Sequence, residues 1–284
     1  LLEEAKAGGA EGLLLDLSQN GGGLLQSAVT ITGYFLGTGP VVGVGGDGEQ
    51  ETYSDDDPSV LWDGPLVVLT SRLSASASEI VAGALKDHAR AVLVGDPQTF
   101  GKGSVQHVLG MPPGYGALKV TIALFYRPSG ESTQNVGVPV DVVVQSPFDL
   151  PNIGEKSLPH PLPPGRIGAL VGGAPNPDGL GRWSPLDVGK LERLRSASAT
   201  RVAQNAELME LATELAEAST KRPVARVSEL LDGRPGEPSA SLRVDPADED
   251  GGLGPDETPN KATPQLKEAL SVLGDLVALE RTAG

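Results

Sequence analysis

Two short stretches of the sequence combine side chains that could carry out acyl transfer. The first contains Ser74, Ser76 and Ser78, soon after an apolar run that ends at Thr70. The second contains Lys102 between two glycines. Acyl transfer needs a nucleophile, a group that accepts its proton, and N–H donors for the oxyanion. A serine at a strand-to-helix junction with a lysine as base could meet these needs.

Each of these residues also has a structural interpretation, and a histidine could replace the lysine. Serines before a helix cap its free N–H groups, and a lysine between glycines is often part of a surface turn. A Ser-His-Asp arrangement is less well supported, because His88 lies about 18 Å from Ser76 along a helix. His107 has no orienting carboxylate nearby in the sequence, and His160 lies in a proline-rich stretch. The spacing of the three histidines predicts no zinc site.

A run of glycines follows the first predicted strand. Gly21, Gly22 and Gly23 come shortly after Asp16 and predict a tight loop. The loop lacks the G-x-G-x-x-G pattern and the Walker lysine, so it does not predict a dinucleotide or phosphate site. It could be a simple turn, or it could donate N–H groups to an oxyanion beside the nucleophile.

Composition excludes several other functions. The 284 residues contain 37 acidic and 22 basic side chains, for a net charge of −15, which disfavours nucleic acid and anionic lipid as partners. There is no cysteine, so thiol catalysis, disulfides and thiolate zinc sites are excluded. No apolar run is long enough for a transmembrane helix, and we predict no metal and no cofactor.

Apolar periodicity predicts an α/β core with a mixed sheet and antiparallel additions. Strands are predicted at 12–17, 41–44, 65–70, 91–95, 105–109, 117–126 and 138–144. Helices are predicted at 1–7, at 24–36 and from the serines to about residue 87, with an acidic exposed loop at 47–57.

The predicted organisation has three parts. Residues 1–150 form the core, 151–185 form a Pro/Gly-rich linker, and 186–284 form a helical C-terminal extension. One or two exposed helices are predicted at 186–220, and a terminal helix follows residue 264. A Pro/Gly/Asp-rich segment at about 233–264 is predicted to be disordered or a long loop.

Five motifs occur in an order that resembles the C-terminal processing peptidases, in particular their tail-specific protease branch. They are Leu15–Gly23 (LDLSQNGGG), Ser74–Ile80 (SASASEI), Asp87–Arg90 (DHAR), Thr99–Gln106 (TFGKGSVQ) and Phe125–Gly130 (FYRPSG). The resemblance covers about residues 8–146.

The resemblance implies a periplasmic serine endopeptidase with a ClpP/crotonase-like core. Such an enzyme cleaves proteins that expose an apolar C-terminal tail, through an acyl-enzyme, and an adaptor lipoprotein is an implied partner. We expect an N-terminal helical part and a PDZ domain to precede this core. The alternative is a catalytically inactive homologue that acts as a binding or scaffold protein.

Matching the motifs assigns roles to individual residues. Ser76 corresponds to the nucleophile, Lys102 to the general base and Gln106 to a residue that orients the lysine, while Asp87 is counted with the catalytic set. The supporting positions and oxyanion-hole donors are Gly22, Gly23, Ala77, Glu79 and Thr99. Asp87 lies roughly 16 Å from Ser76 on an unbroken helix, so we expect it to support the fold by pairing with Arg90 or capping the helix.

Overall fold

The computed structural model describes residues 1–46, 50–112, 114–171, 183–220 and 262–283. Most of the segment predicted at 233–264 lies outside these residues. The strands are β1 (Leu13–Asp16), β2 (Gly39–Gly45), β3 (Gln50–Asp55), β4 (Leu66–Thr70), β5 (Val92–Gly95), β6 (Ser104–Gly110), β7 (Ala117–Tyr126) and β8 (Val142–Val143). The α-helices are α1 (Leu2–Ala7), α2 (Leu25–Leu36), α3 (Ala77–Asp87), α4 (Val188–Val202), α5 (Ala206–Thr220) and α6 (Pro264–Ala283).

A parallel sheet in the order β1-β4-β5-β8 forms the centre of the protein. Its strands are continuous apolar runs because both faces are covered by helices. Leu66 and Val68 of β4 pack in one core with residues of α2 and α3. Val67 and Leu69 point to the opposite face, where they pack with residues of α4 and α6. The sheet is therefore the middle layer of three, as expected for the α/β class.

A second, antiparallel sheet has the order β3-β2-β7-β6. Its edge strand β3 contradicts the prediction of an acidic loop over 47–57. Gln50–Asp55 pairs with β2 along its whole length, and Tyr53 packs against the core. Edge strands tolerate charged side chains because one side of the strand faces solvent, so the acidic composition did not prevent pairing.

The strand predicted at 138–144 is much shorter in the structure, where β8 consists of Val142–Val143. Pro139 forms an isolated bridge with Gln98, and proline has no N–H to donate to a ladder. The carboxylate of Asp141 accepts a hydrogen bond from the N–H of Leu93 at 2.9 Å. The N–H of Asp141 still donates to the carbonyl of Leu93 at 2.9 Å, so a side chain and a backbone group of the same residue together join this segment to β5.

The C-terminal helices α4 and α6 pack against the parallel sheet and form part of its second core. Leu194 of α4 is fully buried, although this region was predicted to form exposed helices. Helix α6 contacts β1, β4 and β5, and Arg201 of α4 pairs with Glu268 of α6. No helix of the described ranges is long and apolar enough to cross a membrane.

We expect Leu276→Ala to lower the free energy of unfolding by about 2–5 kcal/mol, the usual cost of truncating a buried leucine. Leu276 is 1 % exposed beneath the sheet. Leu270→Ala on the same helix is the matched control, because Leu270 is 49 % exposed, and its effect should stay below about 1 kcal/mol. Urea denaturation measures both values. Equal effects of the two substitutions would show that α6 does not cover the sheet.

Candidate functional site

Ser76 occupies a sharp turn between a buried strand and a helix. Strand β4 ends at Thr70, and α3 begins at Ala77, with Ser76 as its N-cap at φ 55° and ψ −118°. This left-handed conformation costs a non-glycine residue about 1–3 kcal/mol. Neighbouring segments hold the turn, since the carbonyl of Ser74 accepts the N–H of Phe100 at 3.0 Å. A strained turn of this kind exposes a serine hydroxyl at the start of a helix.

The structure distinguishes the three serines that the sequence placed together. Ser74 is fully buried, and its hydroxyl donates to the carbonyl of Leu17 at 2.7 Å. The hydroxyl of Ser78 is also buried and donates to Oδ1 of Asn20 at 2.9 Å. Ser76 alone among the three is half-buried and lines a cleft. Two of the serines therefore support the turn that exposes the third.

The cleft has a volume of about 340 Å³ and brings together five of the residues singled out in the sequence. They are Gly23, Ser76, Ala77, Lys102 and Gln106. The rest of its lining consists of Leu24, Leu25, Ile80, Ser104, Val105, Lys119 and Phe125. We call this space the Ser76–Lys102 cleft. Its walls are mostly apolar, with a few polar groups that converge, as is usual for ligand sites.

Beneath the cleft, the buried carboxylate of Glu79 binds the serine turn and the lysine loop at once. It accepts hydrogen bonds from the N–H of Ser76 at 2.9 Å, the hydroxyl of Thr99 at 2.5 Å, and the N–H groups of Gly101 at 2.7 Å and Lys102 at 2.9 Å. Glu79 is completely buried. Burial raises its pKa from 4.5 to about 7, although the four hydrogen bonds act in the opposite direction.

Lys102 lies half-buried in a loop whose backbone is tightly packed. The N–H of Gly103 donates to Oε1 of Gln134 at 2.9 Å. A Cβ at Gly103 would lie 2.6 Å from the backbone nitrogen of Gln134, so the loop requires glycine there. None of the ion pairs between described residues includes Lys102. Lys102 thus lines the same cleft as Ser76 without a carboxylate partner in that part of the chain.

Gln106 reaches the cleft because the β6–β7 ladder is irregular at its position. The register of the ladder shifts between Val105 and Gln106, and such bulges redirect side chains next to active sites. Side chains on a strand alternate between faces. His107 therefore points away from the face that carries Gln106, which places it outside the cleft.

The glycine loop lies directly against the serine turn. A Cβ at Gly22, whose φ is +109°, would lie 2.8 Å from Cβ of Ser76 and 2.9 Å from the nitrogen of Ala77. The N–H of Gly22 donates to Oδ1 of Asn20 at 2.9 Å. That N–H therefore already has an acceptor. Of the two glycines, Gly23 is the one that lines the cleft.

Asp87 lies at the far end of α3 and does not line the cleft. Its carboxylate forms an ion pair with Arg127 and accepts the N–H of Ser129 at 3.0 Å. The expected pairing with Arg90 is wrong, because the Arg90 guanidinium donates to backbone carbonyls, among them that of Phe35 at 2.9 Å. The Asp87 carboxylate instead joins the end of α3 to the turn that follows β7.

His88 is excluded from the site by its contacts. It follows α3, and its Nε2 lies 2.8 Å from the carbonyl oxygen of Pro40. The described residues contain no group of three or more His, Cys, Asp or Glu side chains arranged to hold a metal ion.

Two supporting residues were not predicted from the sequence. Asn20 accepts the N–H of Gly22 and the hydroxyl of Ser78 with its side chain, and its carbonyl accepts the N–H of Ala75. Gln134 holds the loop of Lys102 from about thirty residues away in the chain. Asn20 lies within the motif Leu15–Gly23, whereas no local feature of the sequence marks Gln134.

A strand-turn-helix serine and a lysine in one cleft define a class of α/β protein with a candidate serine–lysine site. Comparison with protein families matches residues 1–144, half of the chain, to peptidase family S41. The chain belongs to this family, and the resemblance inferred from the motifs is confirmed at that level.

Similar proteins of known sequence carry related names. The carboxy-terminal-processing protease of Bartonella bacilliformis is 45 % identical over 140 residues, covering 49 % of this chain and 32 % of that protein. The tail-specific protease of Haemophilus influenzae is 42 % identical over 155 residues, covering 51 % and 22 %. A solved photosystem II D1 C-terminal processing protease is 38 % identical with a TM-score of 0.47, covering 50 % and 37 %. The chain thus spans a minor part of each relative.

We expect Gly22→Ala to destabilise the protein by about 1–3 kcal/mol, because the new methyl group would meet the serine turn in a left-handed conformation. Gly23→Ala is the matched control, since a Cβ there has nothing within 4 Å, and it should cost less than about 1 kcal/mol. Urea denaturation of both variants measures the difference. The close approach of the two loops is refuted if Gly22→Ala is as stable as Gly23→Ala.

The raised pKa of Glu79 predicts a specific pH dependence of stability. The folded protein holds the Glu79 proton up to about pH 7, whereas the unfolded chain releases it near pH 4.5. Glu79 therefore contributes stability below pH 4.5 that is lost as the pH rises to about 7, a loss on the order of 3 kcal/mol. Urea denaturation between pH 4.5 and pH 8 measures this slope.

Glu79→Gln is the control for this pH dependence, because glutamine does not titrate. Other carboxyls contribute equally to both proteins, so the difference between their slopes isolates Glu79. If the variant does not fold, carbon-13 NMR titration of the Glu79 carboxyl in the unaltered protein reports the same pKa. A midpoint near pH 4.5 would contradict the prediction.

Proposed function

We propose that this chain is the catalytic core of a serine endopeptidase in which Ser76 is the nucleophile and Lys102 the general base. The observation that carries the proposal is the Ser76–Lys102 cleft. It places a serine on a strained turn and a lysine without a carboxylate partner among described residues in one mostly apolar space. Family membership supports the same assignment.

The proposed reaction proceeds through an acyl-enzyme. Oγ of Ser76 attacks the carbonyl carbon of a peptide bond while its proton moves to the neutral amine of Lys102. The tetrahedral intermediate collapses, the C–N bond breaks, and Lys102 returns the proton to the leaving amine. Water then attacks the ester with Lys102 again as base, which releases the new carboxyl end and restores Ser76.

The oxyanion of the intermediate needs N–H donors near Ser76. We assign this role to the N–H groups of Gly23 and Ala77, both of which line the cleft. Ala77 is the first residue of α3, where backbone N–H groups have no partner within the helix. Gly22 contributes indirectly, because its N–H is bound to Asn20 and its lack of a side chain permits the close approach.

The remaining site residues are proposed to position the serine and the lysine. Gln106 shares the cleft with Lys102, which supports a role in orienting its amine. Glu79 and Thr99 hold the backbone of the serine turn and the lysine loop together. Asp87 acts at a distance, through its ion pair with Arg127.

The proposed substrates are proteins with exposed apolar C-terminal tails. The apolar walls of the cleft, which include Leu24, Ile80 and Phe125, support binding of apolar side chains. The names of the relatives refer to C-terminal processing and to tail specificity. A ClpP/crotonase-like classification of the core, a periplasmic location, upstream PDZ and helical parts, and an adaptor lipoprotein as partner complete the proposal by resemblance.

We expect Ser76→Ala to abolish covalent labelling by a serine-reactive fluorophosphonate and cleavage of an apolar-tailed protein substrate. Loss of the nucleophile or the base lowers turnover by a factor of about 10³ or more. Lys102→Ala should therefore reduce the rate of labelling steeply while leaving the fold intact. Intact-protein mass spectrometry measures the labelling, and gel analysis measures cleavage.

Lys267→Ala is the matched control for the lysine, because Lys267 is exposed on α6, away from the cleft. Undiminished activity of Lys102→Ala would refute the mechanism. An unaltered protein that folds but neither labels at Ser76 nor cleaves would favour the alternative of an inactive homologue with a binding or scaffold role.

A further inference from the structure

The composition of the Ser76–Lys102 cleft differs from the acidic composition of the protein as a whole. The chain carries a net charge of −15. The described residues that line the cleft nevertheless include two lysines, Lys102 and Lys119, and no aspartate or glutamate. Lys102 is assigned to proton transfer above, which leaves Lys119 without a role.

Lys119 is available to a ligand. Its side chain is exposed, and none of the ion pairs or side-chain hydrogen bonds between described residues includes it. A lysine ammonium has three N–H donors and no acceptor, so its natural ligand is an anion such as a carboxylate. Within the described chain, no such group satisfies Lys119.

Strand pairing places Lys119 on the same face of the β6–β7 ribbon as Gln106. Lys119 lies opposite Val108, and Gln106 lies opposite Thr121. Residues two apart on a strand share a face and are separated by about 7 Å. A substrate group that meets Lys119 is therefore within a few residues of the bond at Ser76.

We propose that Lys119 binds a carboxylate of the substrate and so determines which peptides the cleft prefers. The carboxylate is either the free C-terminus or the side chain of an Asp or Glu near the reactive bond, since both present the same chemistry. This inference rests on the proposed function for the identity of the ligand as a peptide.

The test measures binding rather than cleavage, so it does not depend on catalysis. In the Ser76→Ala background, fluorescence anisotropy compares apolar peptides that differ in one group. In the first pair, one peptide has a free C-terminal carboxylate and the other is amidated. In the second pair, one peptide has Glu and the other Gln at the same internal position. We expect one carboxylate to tighten binding by about 2–5-fold at low salt, as for an ion pair with an exposed lysine, and by less at 0.5 M salt.

Lys119→Met should remove that preference, and Lys119→Arg should retain it. Lys267→Met, which removes an exposed lysine from α6, should leave the preference unchanged. Equal binding of the paired peptides, no peptide binding, or a preference that survives Lys119→Met would overturn the proposal. If the preference depends on Lys119 but the protein with Ser76 intact cleaves nothing, carboxylate binding is upheld and the peptidase function is refuted separately.

Discussion

The buried carboxylate of Glu79 is the interaction on which the candidate site depends. Its two oxygens accept four hydrogen bonds, one from the turn that carries Ser76 and three from the segment 99–102 that carries Lys102. A buried carboxylate is costly unless its oxygens are satisfied, and here the donors come from segments that are separate in the chain. Moving the two segments apart would break these hydrogen bonds and leave the buried carboxylate unsatisfied. The carboxylate therefore holds the segments of the proposed nucleophile and base together.

The same arrangement explains how strain at Ser76 persists. A serine in the left-handed region would relax unless its neighbours fixed it. The N–H of Ser76 is held by Glu79 and the carbonyl of Ser74 by Phe100, while Gly22 packs against its Cβ. Two of the three serines in the motif, Ser74 and Ser78, form buried hydrogen bonds that support this turn. Contacts from the glycine loop, the start of α3 and the lysine loop thus together offset the conformational strain of the turn.

The sequence predicted the local elements well where apolar periodicity was strong, as in β4 and α3, and it grouped Ser76 with Lys102 through motifs. It could not predict β3, because an acidic edge strand is specified by its partner β2 and not by its own composition. It also missed Gln134, whose contact with Gly103 is long-range. The choice between Gly22 and Gly23 depended on one hydrogen bond to Asn20, which no spacing rule reveals.

Helix α3 is bonded at both of its ends to segments that adjoin the antiparallel sheet. Near its start, Glu79 binds the loop that leads into β6. At its end, Asp87 binds Arg127 and the N–H of Ser129, just after β7. The parallel sheet supplies Ser76, whereas β6 and β7 supply Gln106 and Lys119, so the width of the cleft depends on how α3 holds the β6–β7 ribbon. A carboxylate at each end of α3 therefore attaches the helix to segments that flank this ribbon, and Asp87 does so at the end of the helix away from Ser76.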